Sequence, residues 1–273
     1  PEARFHGMPV TSGRIEAPRF KPDGQMMTIS AHVDGDARPL LEVLAMEPIS
    51  LGERLPIDPA SATGRGSVNV RIQRPMVRDA PFEAWRFTVD GAIRDFAGNM
   101  STRNVALSNG QLTVRGDQRA VTVSGPIRAG DSAIQNVRWT EYIGRPDDAS
   151  SSEYQISGDF DANDLERLGY PVARYAQGRI GVTVTGQGRG FDVDNARIDL
   201  DLRNAAVQLP RDFWTKRAGQ AASARFVVQR QSDGGLAFND IDARGGGLLA
   251  QGRVRLARDN TLMEVDLPRL VVE

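Results

Sequence analysis

The chain has 273 residues, with 34 Lys and Arg against 35 Asp and Glu, and it contains no cysteine. The balanced charge and an aromatic content of 6% argue against a nucleic-acid-binding protein, which presents a basic surface and stacks bases on aromatic rings. The absence of cysteine excludes disulfides, thiolate metal sites and a cysteine nucleophile.

Most of the sequence alternates apolar and polar residues, a period typical of β-strands with one dry face and one wet face. SVNVRIQ at 67–73 is a clear case, and LVVE at the C-terminal end still fits the pattern. With weaker cases included, the alternation predicts roughly 16 to 18 short strands in an antiparallel meander. We expect the apolar residues of these strands to share one side of the sheet, which we call the apolar face. They are Val68, Val70, Ile72, Trp85, Phe87, Val89, Val121, Val123, Val182, Val184, Ile198, Leu200, Leu202, Phe226, Val228, Val254 and Leu256.

Two segments have a helical pattern instead. DARPLLEVLAM at 36–46 and DANDLERLGY at 161–170 each place an Asp before a run of spaced apolar residues, and Gly169 ends the second run. An Asp in that position caps the free N–H groups of a first helical turn. Each segment follows a strand containing Ile-Ser and precedes a strand beginning with Gly-Arg.

The sequence repeats itself. ATGRGSVNV at 62–70 resembles AQGRIGVTV at 176–184, and AIRDFAG at 92–98 then aligns with DLRNAAV at 201–207. We therefore predict two tandem copies of one β-rich module. The boundaries that we assign are 1–25 for the end of a preceding repeat, 26–145 for the first module, 146–152 for a connector and 153–273 for the second module.

So many one-sided strands expose more apolar surface than two short helices can cover. The sheet can bury that surface by closing into sandwiches or barrels, or it can remain a trough that a hydrocarbon ligand covers. The scarcity of aromatic residues favours the trough. We predict a mostly β fold, an extended and twisted antiparallel sheet curled into an open apolar trough with two short helices.

The stretch LDLRNAAVQLPRDFWTKRAGQAASARFVVQRQSDGGLAFNDIDARGGGLLAQGRVRL at 200–256 resembles the repeating portion of AsmA-like proteins, particularly the large YhdP-type members. PLLEVL followed by IDPASATGRGSVNVRIQRPM resembles the same portion in outline. AsmA-like proteins are anchored in the bacterial inner membrane by one N-terminal helix, project into the periplasm and form elongated β-sheet troughs. They are thought to carry phospholipids between the inner and outer membranes.

The resemblance implies a non-enzymatic, periplasmic segment of a Gram-negative protein whose apolar face contacts phospholipid acyl chains. No cofactor, metal or nucleic acid is implied. The other expected partners are the remaining repeats of a longer chain and the two membranes, contacted through parts outside this sequence. The chain starts at Pro1 and has no apolar run near the roughly 18 residues that span a bilayer, so we expect the membrane helix to lie elsewhere.

Several residue patterns that suggest catalysis or metal binding have simpler explanations. His6 and His32 have no motif around them, and GQGRG at 186–190 reads as a hairpin turn. DFDAND at 159–164 lacks the Gly and Glu that a calcium loop requires, so helix capping explains it better. The acids at 192, 194, 199 and 201 are expected to be solvated charges on the wet face.

A second hypothesis remains open, a carbohydrate-binding or adhesin-like β-repeat with a closed core. Such a protein would stack sugars on aromatic residues of its wet face, whereas Trp85 and Phe87 lie on the apolar side of their strand. A β-helix polysaccharide lyase is a third possibility, but it needs a repeat of roughly 20 to 30 residues.

Overall fold

The computed structural model describes residues 4–5, 8–18, 25–45, 57–81, 84–101, 103, 105–146, 149–190, 192–210 and 213–273. Within these residues 17 strands form one antiparallel sheet, accompanied by two short α-helices. The helices are α1 (Ala37–Ala45) and α2 (Ala162–Arg167), and a 3-10 turn covers Pro59–Ser61. The predicted mostly β fold is therefore confirmed.

The strands follow the chain in short, regular succession. Their bounds are β1 (Arg4–Phe5), β2 (Met8–Glu16), β3 (Met26–Asp36), β4 (Thr63–Pro75), β5 (Arg86–Asn99), β6 (Ala106–Asp117), β7 (Ala120–Ala129), β8 (Ser132–Tyr142), β9 (Ser152–Asp161), β10 (Ala176–Arg189), β11 (Asp192–Asp201), β12 (Ala205–Gln208), β13 (Thr215–Lys216), β14 (Ala222–Arg230), β15 (Leu236–Gly245), β16 (Leu248–Leu256) and β17 (Leu262–Val272).

The sheet is a meander that stays open. Each strand from β1 to β10 pairs with the next, β11 pairs with β14, and the row continues to β17. Among the described residues, no pairing joins β17 to β1 or β2. At about 4.8 Å per strand the row from β2 to β17 is roughly 60 Å long.

The two predicted copies share one register. In each half the strand before the helix pairs with the Gly-Arg strand, which pairs with the strand after it. The corresponding pairs are Asp36 with Arg65 and Asp161 with Arg179, Val70 with Val89 and Val184 with Ile198, Thr63 with Ala97 and Gln177 with Ala206. The sheet crosses the connector without a break, so the module boundaries themselves stay a prediction.

Glycines of left-handed conformation mark the same point in both halves. Gly64 and Gly178 have φ of 119° and 92°, which a residue with a Cβ adopts only with strain. Next to Gly64 the β4–β5 register shifts, and after Gly178 strand β10 passes from β12 to β11. The Gly-Arg pattern therefore marks the place where the strand bends.

The two helices occupy equivalent positions in the strand order, between β3 and β4 and between β9 and β10. Asp161 caps α2, since its carboxylate accepts from the N–H of Asn163 at 2.9 Å. Gly169, with φ of 95°, follows the end of this helix, as predicted. The predicted end of the first helix at residue 46 lies outside the described residues.

Each helix contributes side chains to one hydrophobic cluster of the sheet. The cluster under α1 comprises Ala37, Leu41, Ala62, Ile93, Phe96, Leu112, Val114, Val121, Ile127, Trp139 and Tyr154. The cluster under α2 comprises Phe160, Ala162, Leu165, Ala176, Ile180, Val182, Ala205, Val207 and Trp214. A third, smaller cluster comprises Met100, Val105 and Ala129, and the three clusters form the core of the described residues.

The hairpin of β12 and β13 helps to enclose the second cluster. It leaves the main row by pairing with the first residues of β10. The indole N–H of Trp214 donates to the carbonyl of Gly246 at 2.7 Å, and the buried ammonium of Lys216 donates to the carbonyls of Ala205 and Arg217 at 2.7 and 2.9 Å. These bonds fix the hairpin against the end of the sheet.

Asp164 fastens α2 to the turn between β7 and β8. Its carboxylate, only 1% exposed, accepts from the N–H of Asp131 and the hydroxyl of Ser132 at 2.8 Å each, and from Arg167 at 3.2 Å. Gly130 leaves room for this carboxylate, because a side chain there would collide with it. A buried charge is stable here because several donors satisfy it.

Candidate functional site

The apolar face forms continuous rows across neighbouring strands. Residues that pair across an antiparallel ladder share one face, so the register shows which side chains adjoin. In the first half one row runs through Ala31, Val70 and Val89. In the second half the row runs through Ile156, Val184, Ile198 and Phe226.

Burial divides the predicted apolar face into two groups. Five members are buried, namely Val68, Phe87, Val121, Val182 and Val228. Two of these, Val121 and Val182, belong to the clusters under the helices, so they are core residues of the fold. The half-buried members are Val70, Ile72, Trp85, Val89, Val123, Val184, Ile198, Leu200, Leu202, Phe226, Val254 and Leu256.

Two of the predicted face residues lie outside the strands. Trp85 directly precedes β5, where its indole N–H donates to the carbonyl of Ala80 at 3.4 Å and the guanidinium of Arg74 lies 4.7 Å from its ring centre. The cation–π contact places this ring beside a charge at the sheet margin. Leu202 lies between β11 and β12 and packs against the second cluster.

The face also contains residues outside the predicted set. Phe238 on β15 pairs with Val228 and Val254, and its ring lies 5.7 Å from that of Phe226. Val265 on β17 continues this row to the sheet edge. Their assignment needs the strand register, which shifts at the bulges in β14 to β17.

A pair of polar side chains is buried within the apolar face. Glu141 lies opposite Val121 on one side and Ser152 on the other, and it accepts a hydrogen bond from the Ser152 hydroxyl. Both side chains are fully enclosed. Nearby Tyr154 is 3% exposed, and burial, with added repulsion from Glu141, raises the pKa of its phenol.

Replacing Tyr154 with Phe is expected to make the free energy of unfolding depend less on pH in alkaline solution. Because its folded pKa lies above the ordinary 10.0, the unfolded chain releases a proton above pH 10 that the folded chain retains. Stability due to this group is present below that pH and declines by about 1.4 kcal/mol per pH unit above it. In urea unfolding between about pH 9 and 11, Tyr154→Phe should lose stability less steeply; an unchanged slope would show that this phenol ionises normally.

Opposite charges cover the other face. Arg115 pairs with Asp90 at 3.0 Å, and Arg225 pairs with Asp199 at the corresponding position of the second half. A cleft of about 620 Å³ on this face is lined by both signs of charge, among them Asp242. Asp199 lies opposite Arg225 on this face, as predicted for it. Asp192 and Asp194 pair with Arg103 and Arg230, and the placement of the other three acids on the wet face stays a prediction.

The remaining motifs have structural roles. His32 lies on the polar face with its ring nitrogens near Asn69 at 2.8 Å and Asp34 at 3.3 Å, whereas His6 lies outside the described residues. GQGR at 186–189, predicted as a hairpin turn, instead forms the end of β10 paired with β11, and Gly190, at φ of 56°, lies in the turn that follows. In the described ranges, no three His, Asp or Glu side chains converge as metal ligands.

The arrangement is a strip of half-buried apolar side chains with a charged reverse side. In the part of the chain that the structure describes, neither helix is long and apolar enough to cross a bilayer. Comparisons with protein-family models, with curated proteins and with solved structures give no match to this chain.

Proposed function

We propose that the chain is a segment of a lipid-conducting β-groove that shields phospholipid acyl chains during transport between the inner and outer membranes. The observation that carries this proposal is the row of half-buried apolar residues that crosses four neighbouring strands of an open sheet, from Ile156 to Phe226. A closed sandwich would bury such a row under a second sheet, whereas the described strands form a single sheet.

The energetics favour a hydrocarbon ligand. Removing apolar surface from water contributes roughly 25 cal/mol per Å², so an acyl chain lying across several strands gains affinity from many small contacts. Aliphatic side chains such as Val70, Val184 and Ile198 offer contacts without directional preference, so they suit chains of differing length and unsaturation. The charged reverse face keeps the segment in water while the headgroup remains at the open side.

The cellular setting is part of the same proposal. The resemblance to AsmA-like proteins supports a periplasmic location within a longer protein that is anchored in the inner membrane by a helix outside this sequence. The protein would supply phospholipid to the outer membrane and maintain its lipid balance. Further repeats would lengthen the groove, because each added strand extends the sheet by about 4.8 Å.

Co-purifying lipid tests the proposal most directly. The chain is purified from a Gram-negative host without detergent, and its bound lipids are extracted and identified by mass spectrometry. We expect phospholipids to be retained through gel filtration, at a level well above that of an unrelated β-protein purified in parallel. Purified chain that carries no phospholipid and takes up none from vesicles would contradict the proposal, and retention of an oligosaccharide would support the carbohydrate-binding alternative.

A further inference from the structure

The outer edge of β17 is the most apolar exposed part of the described chain. Six of its large apolar side chains are 41% to 63% exposed, namely Leu262, Met263, Val265, Leu270, Val271 and Val272. Strand edges with exposed apolar residues are templates for pairing with another strand. The strands that occupy the same position elsewhere in the sheet indicate what pairs with this edge.

Strand β17 occupies the position in the second half that β9 occupies in the first. The β7–β8 and β15–β16 turns have glycines of nearly equal φ, 60° at Gly130 and 61° at Gly246. Three residues after each of these glycines, the strand that leaves the turn makes a matching pair with the next strand, Ala133 with Asp159 and Leu249 with Val271. This match aligns Val271 with Asp159.

The alignment places Glu273 at the position of Asp161. The N–H of Asp161 donates to the hydroxyl of Ser132 at 2.9 Å, and the N–H of Glu273 donates to the carbonyl of Gly247, also at 2.9 Å. Both acids are thus fastened to the turn at the start of the preceding strand. Asp161 and Asp36 are the last residues of β9 and β3, and Glu273 directly follows the last residue of β17.

The corresponding edges of β3 and β9 are each paired with a Gly-Arg strand, β4 and β10. Asp36 pairs with Arg65 in register, and their side chains form an ion pair of 3.2 Å. Asp161 pairs with Arg179 in register, and Gly158 pairs with Val182. The edge of β17 therefore presents an apolar face and a terminal acid in the arrangement that a Gly-Arg strand fills elsewhere in the sheet.

We propose that the outer edge of β17 binds a strand of the Gly-Arg pattern, in the antiparallel register that β10 takes on β9. In this register the arginine lies opposite Glu273, the first aliphatic residue opposite Val272 and the second opposite Leu270. The ligand is an extended segment with aliphatic residues at alternate positions after Gly-Arg. Main-chain hydrogen bonds give its affinity, and the acid and alternate apolar contacts give its register.

A synthetic peptide of residues 176–189, capped at both ends, tests this inference on the intact chain. Its binding is followed by fluorescence anisotropy, and the binding site by hydrogen exchange. At saturating peptide we expect amide exchange in Leu262–Val272 to slow at least tenfold, with no change in β2. No slowing in β17, slowing at β2 instead, or dimerisation of the chain through β17 without peptide would overturn the proposal.

Paired variants separate edge binding from general destabilisation. Val265→Lys with Leu270→Lys should lower peptide affinity at least tenfold, because lysines directed along an edge block strand addition. Ile15→Lys on the opposite edge, where Ile15 is 66% exposed, should leave affinity unchanged. Both variants should melt near the temperature of the unchanged chain, since the replaced side chains are exposed.

The charge pair gives a test of register. Glu273→Arg should weaken binding of the peptide about threefold, in the range of an exposed ion pair, and a peptide carrying Arg179→Glu should recover that loss on the variant. Equal binding of both peptides to both chains would overturn the proposed register. Affinity lost by the Lys variants but not by Ile15→Lys, together with this recovery, would support the inference.

Discussion

Phospholipid binding is expected to fall at least tenfold when Val184 is replaced by Asp and to remain unchanged in Thr185→Asp. Val184 lies half-buried in the apolar row between Ile156 and Ile198, whereas Thr185 is exposed on the reverse face of the same strand. The two variants add the same charge at adjacent positions. A carboxylate in contact with hydrocarbon loses its hydration without a partner, and a tenfold loss corresponds to about 1.4 kcal/mol.

Stability distinguishes an open groove from a closed core in the same pair of variants. Where the face is open, the Asp at position 184 reaches water and the free energy of unfolding falls by about 1 to 2 kcal/mol. In a closed core, the charge is buried unpaired, and the expected loss rises to about 3 to 5 kcal/mol with insoluble protein. Binding is measured with a fluorescent phospholipid and stability by urea unfolding. A soluble Val184→Asp protein that binds lipid normally would contradict the groove.

Leu200→Asp is expected to lower phospholipid binding for the same reason as Val184→Asp. Leu200 pairs with Val182 and Ala224 and is half-buried. Arg197→Asp on the wet face is its control and should change neither lipid binding nor abundance. Concordant loss at positions 184 and 200 would show that the binding surface extends over both β10 and β11.

Much of the fold follows from local patterns. A period of two in SVNVRIQ specifies which residues of β4 share a face, because successive side chains of a strand point to opposite sides. The Asp before ANDLER specifies the start of α2, because its carboxylate satisfies a free N–H of the first turn. The repeated Gly-Arg pattern specifies that β4 and β10 bend at equivalent residues, Gly64 and Gly178. These features need no knowledge of distant residues.

The remaining features depend on contacts between distant segments. The fork at β10, which pairs with β12 before β11, follows from the bend at Gly178 and the packing of Trp214 against Gly246. The burial of Glu141 depends on its register with Ser152, eleven residues further along the chain. The division of the apolar face into core and groove depends on where the helices lie. Alternation identifies apolar residues but does not say what covers them.

A loss of about 3 to 5 kcal/mol in the free energy of unfolding is expected for Asp164→Ala. The substitution removes the acceptor of three donors, leaving the N–H of Asp131 and the hydroxyl of Ser132 buried without it. Losses of this size follow when one partner of a buried charged network is removed. The matched control is Asp161→Ala, which removes only the helix cap and should cost about 1 kcal/mol.

The reason for this difference lies in what each carboxylate connects. Asp161 stabilises its own helix, whereas Asp164 joins α2 to the β7–β8 turn and so holds the helix over the second hydrophobic cluster. Hydrogen exchange in Asp164→Ala should therefore rise in α2 and in the turn at 130–132 together, while exchange in β14 to β17 stays close to that of the unchanged chain. A variant within 1 kcal/mol of the unchanged chain, or one that loosens α2 alone, would show that this carboxylate does not fasten the helix to the sheet.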